Sequence, residues 1–84
     1  MKLEFEVAVT LKEGLLDPQG KAVEDALPAM GWENVSHVRV GKLVRMTVEA
    51  DDAEAAASLA EEVARRLLAN PVIEDVRVRA LEET

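Results

Sequence analysis

The alternation at the start of the chain constrains its fold more than any other feature. Leu3, Phe5, Val7, Val9 and Leu11 fall on one side; Lys2, Glu4, Glu6, Ala8, Thr10 and Lys12 fall on the other. A period of two sustained over this length predicts a long strand. One face should pack on a core and the other should meet water or a polar partner.

The segment that follows supplies a helix. Asp17 suits an N-cap, where its carboxylate accepts from the free backbone N–H groups of the first turn. Pro18 suits the first helical position, since its missing N–H costs nothing there. Ala22, Val23, Ala26, Leu27 and Met30 share one stripe at helical spacing, predicting a helix over 18–30. Pro28 should kink or shorten its last turn, and Gly31 can end it in a left-handed cap. Trp32 then reads as a lid over the end of the core. Gly20 is out of place, because glycine in a helix costs roughly 1 kcal/mol relative to alanine. It makes sense if a backbone must approach it closely, either this chain's own or a partner's.

Residues 35–40 and 43–50 alternate as two further strands, and Gly41-Lys42 between them reads as a two-residue hairpin turn. His37 falls on the more polar face of the first of these. A second helix is the clearest element. Asp51-Asp52-Ala53-Glu54 places a cap and a carboxylate in its first turn, where the helix dipole favours both. Ala53, Ala56, Ala57, Ala60, Val63, Ala64 and Leu67 form its apolar stripe. Glu61 with Arg65 and Glu62 with Arg66 are i,i+4 pairs worth ~0.3–0.5 kcal/mol each. Asn70-Pro71 stops this helix, and residues 72–80 read as a last strand.

The order β-α-β-β-α-β implies an α+β fold. Its simplest compact form is a four-stranded, mainly antiparallel sheet with both helices on one face, ferredoxin-like or closely related. Right-handed crossovers place the first and third strands in the centre. Glu4 and Glu6 on the uncovered face then lie between Arg45 on one neighbour and Arg77 and Arg79 on the other. Opposite charges across strands contribute roughly 0.2–1 kcal/mol a pair.

Four blocks of this sequence also resemble the PurS family in content, order and spacing. They are Val9-Thr10-Leu11-Lys12, Leu15-Leu16-Asp17-Pro18-Gln19-Gly20-Lys21-Ala22-Val23, Val38-Arg39-Val40-Gly41-Lys42, and Leu67-Leu68-Ala69-Asn70-Pro71-Val72-Ile73-Glu74-Asp75. Val76 departs from the pattern at a position where relatives often carry an aromatic. The resemblance implies the small subunit of phosphoribosylformylglycinamidine (FGAM) synthase. That ligase works in de novo purine biosynthesis, using ATP and ammonia from glutamine to turn formylglycinamide ribonucleotide into the amidine. It further implies a homo-oligomer, a dimer or dimer of dimers, that joins a glutaminase subunit to a large synthetase subunit. ATP and Mg²⁺ would belong to the synthetase, leaving no cofactor and no active site in this chain, and the location would be cytoplasmic.

Composition agrees by what it leaves out. The sequence has 84 residues, enough for one domain over 1–84, with a core of marginal size. It has no cysteine and one histidine, so disulfides, thiolate chemistry and Cys/His zinc sites are excluded. A net charge of −7 argues against nucleic acid, which calls for a basic patch. No apolar run reaches the ~20 residues of a membrane span, and the charged, alternating N-terminus is unlike a signal peptide. An autonomous enzyme is a poor fit without a nucleophile–base set or a glycine-rich phosphate loop. Two classes remain: a partner-binding subunit, and a small-molecule regulatory module resembling the ACT domains, whose site would lie at the first strand–helix turn. The candidate partner-facing residues sit in turns and caps: Asp17, Pro18, Gln19, Gly20, Gly41, Lys42, Asn70 and Pro71.

Overall fold

The computed structural model describes residues 1–81. Strand β1 spans Lys2–Leu11, and its alternation is realised: Phe5, Val7 and Val9 are buried, and Lys2 and Thr10 are exposed. Helix α1 (Pro18–Ala26) follows, then a short 3₁₀ turn (Pro28–Met30) and strand β2 (Lys42–Glu49). Helix α2 (Ala53–Val63) continues as a wider π-turn (Ala64–Leu68), and strand β3 (Glu74–Ala80) closes the order.

The sheet has three strands among the described residues, in the order β2-β1-β3, with both pairings antiparallel. The longest alternating strand, β1, is therefore central. Register places Val7 opposite Val44 and Val78, and Glu6 opposite Arg45 and Arg79. The open face carries the expected ion pairs, Arg45 with Glu4 and Arg79 with Glu6. Arg77 instead lies across from Ala8.

The expected fourth strand is absent among the described residues, so β2, the third of the expected strands, lies at an edge and not in the centre. Residues 35–40 take no regular secondary structure, and Gly41-Lys42 is no hairpin turn, since Lys42 already pairs with Val9. Two causes act together. His37 adopts a left-handed φ of 56°, which breaks an extended run. The backbone N–H groups of Val38 and Val40 are also bound by carboxylates of the α1 region, not by a neighbouring strand.

Only α2 covers the sheet. Ala56, Ala60 and Ala64 are fully buried against Phe5, Val7, Val9 and Val48. Alanine at every fourth position lets the helix backbone approach the strands closely. The π-turn shifts the phase of the stripe, with the Ala69 N–H bonding five residues back to Ala64. Leu68 consequently packs inward and Leu67, expected in the stripe, is exposed. Val72 and Ile73 precede β3 and are likewise exposed.

Helix α1 contributes no residue to the core. It ends early at Pro28, as anticipated, and Gly31 closes the 3₁₀ turn at φ 95°. Its stripe is uncovered, however: Ala22, Val23, Ala26 and Met30 are exposed. Trp32 is half exposed and lids nothing. The molecule is accordingly long and thin, 52 × 28 × 14 Å.

Candidate functional site

The expected partner-facing residues gather at one end of the sheet, where β1 ends and β2 and β3 begin. Asp17, Pro18, Gln19, Gly41 and Lys42 line a single open cleft of about 360 Å³ with Glu74 on its wall. Asn70 and Pro71 do not line it. They belong to the turn that leads into it, which is pinned by the Asn70 N–H donating to Glu74 Oε1 at 2.7 Å and the Val72 N–H donating to Asn70 Oδ1 at 3.1 Å. Gly20 is buried beneath the helix cap.

Asp17 organises this end. It is 5% exposed and the one buried charged residue among those described. Its Oδ1 accepts from the Gly20 N–H at 2.9 Å, which is the expected N-cap. Its Oδ2 accepts from the Val40 N–H at 2.7 Å, from a segment 23 residues away. Donation from Gly20 and then Val40, helped by the nearby Arg39 guanidinium, holds the carboxyl below the usual carboxylate range against the opposing effect of burial.

Gly20 answers the question its position poses. A β-carbon there would run into the carbonyl oxygen of Val38, so the close approach is made by this chain's own backbone. Gly41 is similar: a β-carbon would meet the carbonyl oxygen of Val9.

Two members of this site lay beyond sequence reasoning. Glu24 Oε1 accepts from the Val38 N–H at 3.0 Å. Arg39 donates to the carbonyls of Leu15, Lys12 and Leu11 at 3.1, 3.3 and 3.4 Å. The seven-residue spacing of Asp17 and Glu24 puts both on one helix face. That spacing is a usable signal for the pair, though not for what they hold.

The chemistry available here is that of binding. The cleft carries Lys42 against Asp17 and Glu74, and both Asp17 oxygens are engaged within the chain. His37 is exposed on the return segment. Among the described residues, no three His, Asp or Glu side chains stand close enough to hold a metal ion. No helix is long and apolar enough to cross a membrane.

A thin three-stranded sheet closed by one helix, with a second helix left apolar side outward, defines a small α+β domain with an unburied apolar helix face. The family model for PurS, described as phosphoribosylformylglycinamidine (FGAM) synthase, matches residues 4–82. The chain is 46% identical to the PurS subunit of that synthase from Bacillus subtilis, over 94% of this chain and 93% of the relative. Its fold is similar to the purS subunit from Thermotoga maritima, with a TM-score of 0.89 at 31% identity over 96% of this chain and 93% of that one. A chain in the structure of PurLQS from Thermotoga maritima is equally similar, with a TM-score of 0.89 at 31% identity over 96% of this chain and 99% of that one. The chain belongs to the PurS family, a conclusion that favours the partner-binding class over the ACT-like module.

Proposed function

We propose that this chain is the small, non-catalytic subunit of an FGAM synthase, joining a glutaminase subunit to a large synthetase subunit. The observation that carries the reading is the uncovered α1. The core is complete without it, yet its apolar stripe is retained and its cap is built with care. Similarity to a chain of PurLQS supports placing it in such an assembly. ATP and Mg²⁺ belong, in this reading, to the synthetase, and the complex works in the cytoplasm.

The chain also associates with itself, as a dimer or dimer of dimers. Supporting this is the outer edge of β2, which no strand covers among the described residues. Open strand edges are natural joining sites.

The test is size-exclusion chromatography of the chain with the glutaminase and synthetase subunits in the presence of glutamine, ADP and Mg²⁺. Co-elution of all three is expected, with no glutaminase, ATPase or synthetase activity from the isolated chain. Binding of a free amino acid or nucleotide by the isolated chain would overturn the reading. Light scattering should give a multiple of the monomer mass, and the monomer mass at micromolar concentration would refute self-association.

A further inference from the structure

Helix α1 poses a mechanical problem. It has no apolar anchorage on the sheet, and apolar contact is in any case non-directional. Hydrogen bonds are directional and can fix an angle. Three charged side chains supply them at the root of the helix. Asp17 ties the first turn of α1 to the returning backbone at Val40. Glu24, two turns along the same face, ties α1 to that segment again at Val38. Arg39 ties the return segment to the entering loop through the carbonyls of Leu11, Lys12 and Leu15. The entering loop, the helix and the return are thus bonded to one another in a closed ring. Gly20 and Gly41 are the two places where the backbones come too close for a side chain.

We propose that Asp17, Glu24 and Arg39 are positioning residues: they hold α1 and residues 31–38 as an arm at a fixed angle to the sheet, and docking of that arm onto partner subunits depends on the angle. The inference rests on the assembly role proposed above. A polar root leaves the exposed apolar side chains of the arm, Val23, Met30, Trp32 and Val35 among them, available to a partner. A pre-set arm also avoids the ordering cost that a loose one would meet on binding.

Asp17→Ser separates the joint from the cap. A serine hydroxyl can still cap the Gly20 N–H, but it cannot also reach Val40. The chain has no cysteine, so Glu33→Cys on the arm and Asp75→Cys on the sheet, both exposed, take spin labels cleanly. Distances between them are read by pulsed electron paramagnetic resonance, with labelled chain diluted into unlabelled. Asp17→Ser should broaden the distance distribution. It should also raise amide exchange at Val38 and Val40 by about tenfold, while the central β1 amides stay protected. Binding to the glutaminase and synthetase subunits should weaken by about tenfold, which corresponds to ~1.4 kcal/mol. Arg39→Ala, an exposed position, should reproduce all three effects and serves if Asp17→Ser folds poorly.

A distribution as narrow as that of the unaltered chain would overturn the proposal. So would exchange of the β1 amides together with those of the arm, since the joint would then hold the whole fold. Equal binding by a variant with a loosened arm would overturn it too. Failure of the unaltered chain to bind the two subunits would instead refute the assembly role, and it is read separately.

Discussion

The two helical halves of this protein are written in nearly the same way and used in opposite ways. Each helix opens on an aspartate cap, with Asp17 holding the Gly20 N–H and Asp52 holding the Ala55 N–H. Each carries an apolar stripe and an i,i+4 ion pair, Lys21 with Asp25 in α1, and Glu62 of α2 with Arg66 of the π-turn that continues it. In α2 the stripe is spent inside the chain, where Ala56, Ala60 and Ala64 seal the sheet. In α1 the stripe faces outward and the helix is fixed by charged groups at its root. The lesson is that a helix can be positioned by packing or by polar joinery. Only the second leaves its apolar side for another molecule.

Breaking the packed half should have the largest effect. Phe5 is fully buried in the core cluster with Ala56 and Ala60. Phe5→Ala should cost about 3–5 kcal/mol in urea unfolding at fixed chain concentration, enough to unfold much of a domain this small. Trp32→Ala, half exposed within the arm, should change the stability of the unassembled chain by less than ~0.5 kcal/mol. A large loss from Trp32→Ala would mean that the arm has a core of its own.

The comparison sharpens with one substitution made in both helices. Ala60 has no spare room under α2, so Ala60→Leu should cost about 1–3 kcal/mol through overpacking. Ala26→Leu, exposed on α1, should stay within ~0.5 kcal/mol. Equal costs in the two helices, measured by the same unfolding curves, would erase the distinction.

At the joint itself, Gly20→Ala should lower stability by about 1–2 kcal/mol, because the new methyl meets the Val38 carbonyl. A neutral or raised melting temperature would show that the return segment yields easily and that the joint is soft.

The smallest effect expected is from acid. The folded Asp17 carboxyl titrates below its unfolded value. Its contribution is therefore complete above the ordinary carboxylate pKa of ~3.9 and is lost as pH falls through the lower folded value. The Val40 amide resonance should hold steady down to that range and then move, ahead of the central β1 amides. A shift beginning well above it would mean that Asp17 is not held by these donors.

Much of this was legible in the chain. Period two in residues 2–12 led to a long strand, and capping residues located the start of α1 at Pro18 and that of α2 within Asp51–Glu54. Charges on Glu4, Glu6, Arg45 and Arg79 foretold the ion pairs of the open face. The candidate partner-facing residues were read from turns and caps, and five of the eight share one cleft. Residues 35–40 misled because alternation reports which side chains could share a face. It does not report whether a neighbouring backbone stands ready to pair. Here carboxylates took the N–H groups of Val38 and Val40 first. Glu24 and Arg39 went unnoticed for a related reason, since both act on backbone groups, which every residue carries and no residue advertises.

By itself, then, the sequence determined what local physics determines: strand and helix periods, caps, the stop at Pro28 and the close-approach glycine at Gly20. Family membership was legible there too, in four blocks whose order and spacing no single element explains. Tertiary structure decided where the two apolar stripes go. Burial depends on which surfaces meet, and one sheet face has room for one helix. The small alanines of α2 let it lie closest to the strands, and α1 was left to a hydrogen-bonded root. Its apolar side remains outward because nothing among the described residues stands left to cover it.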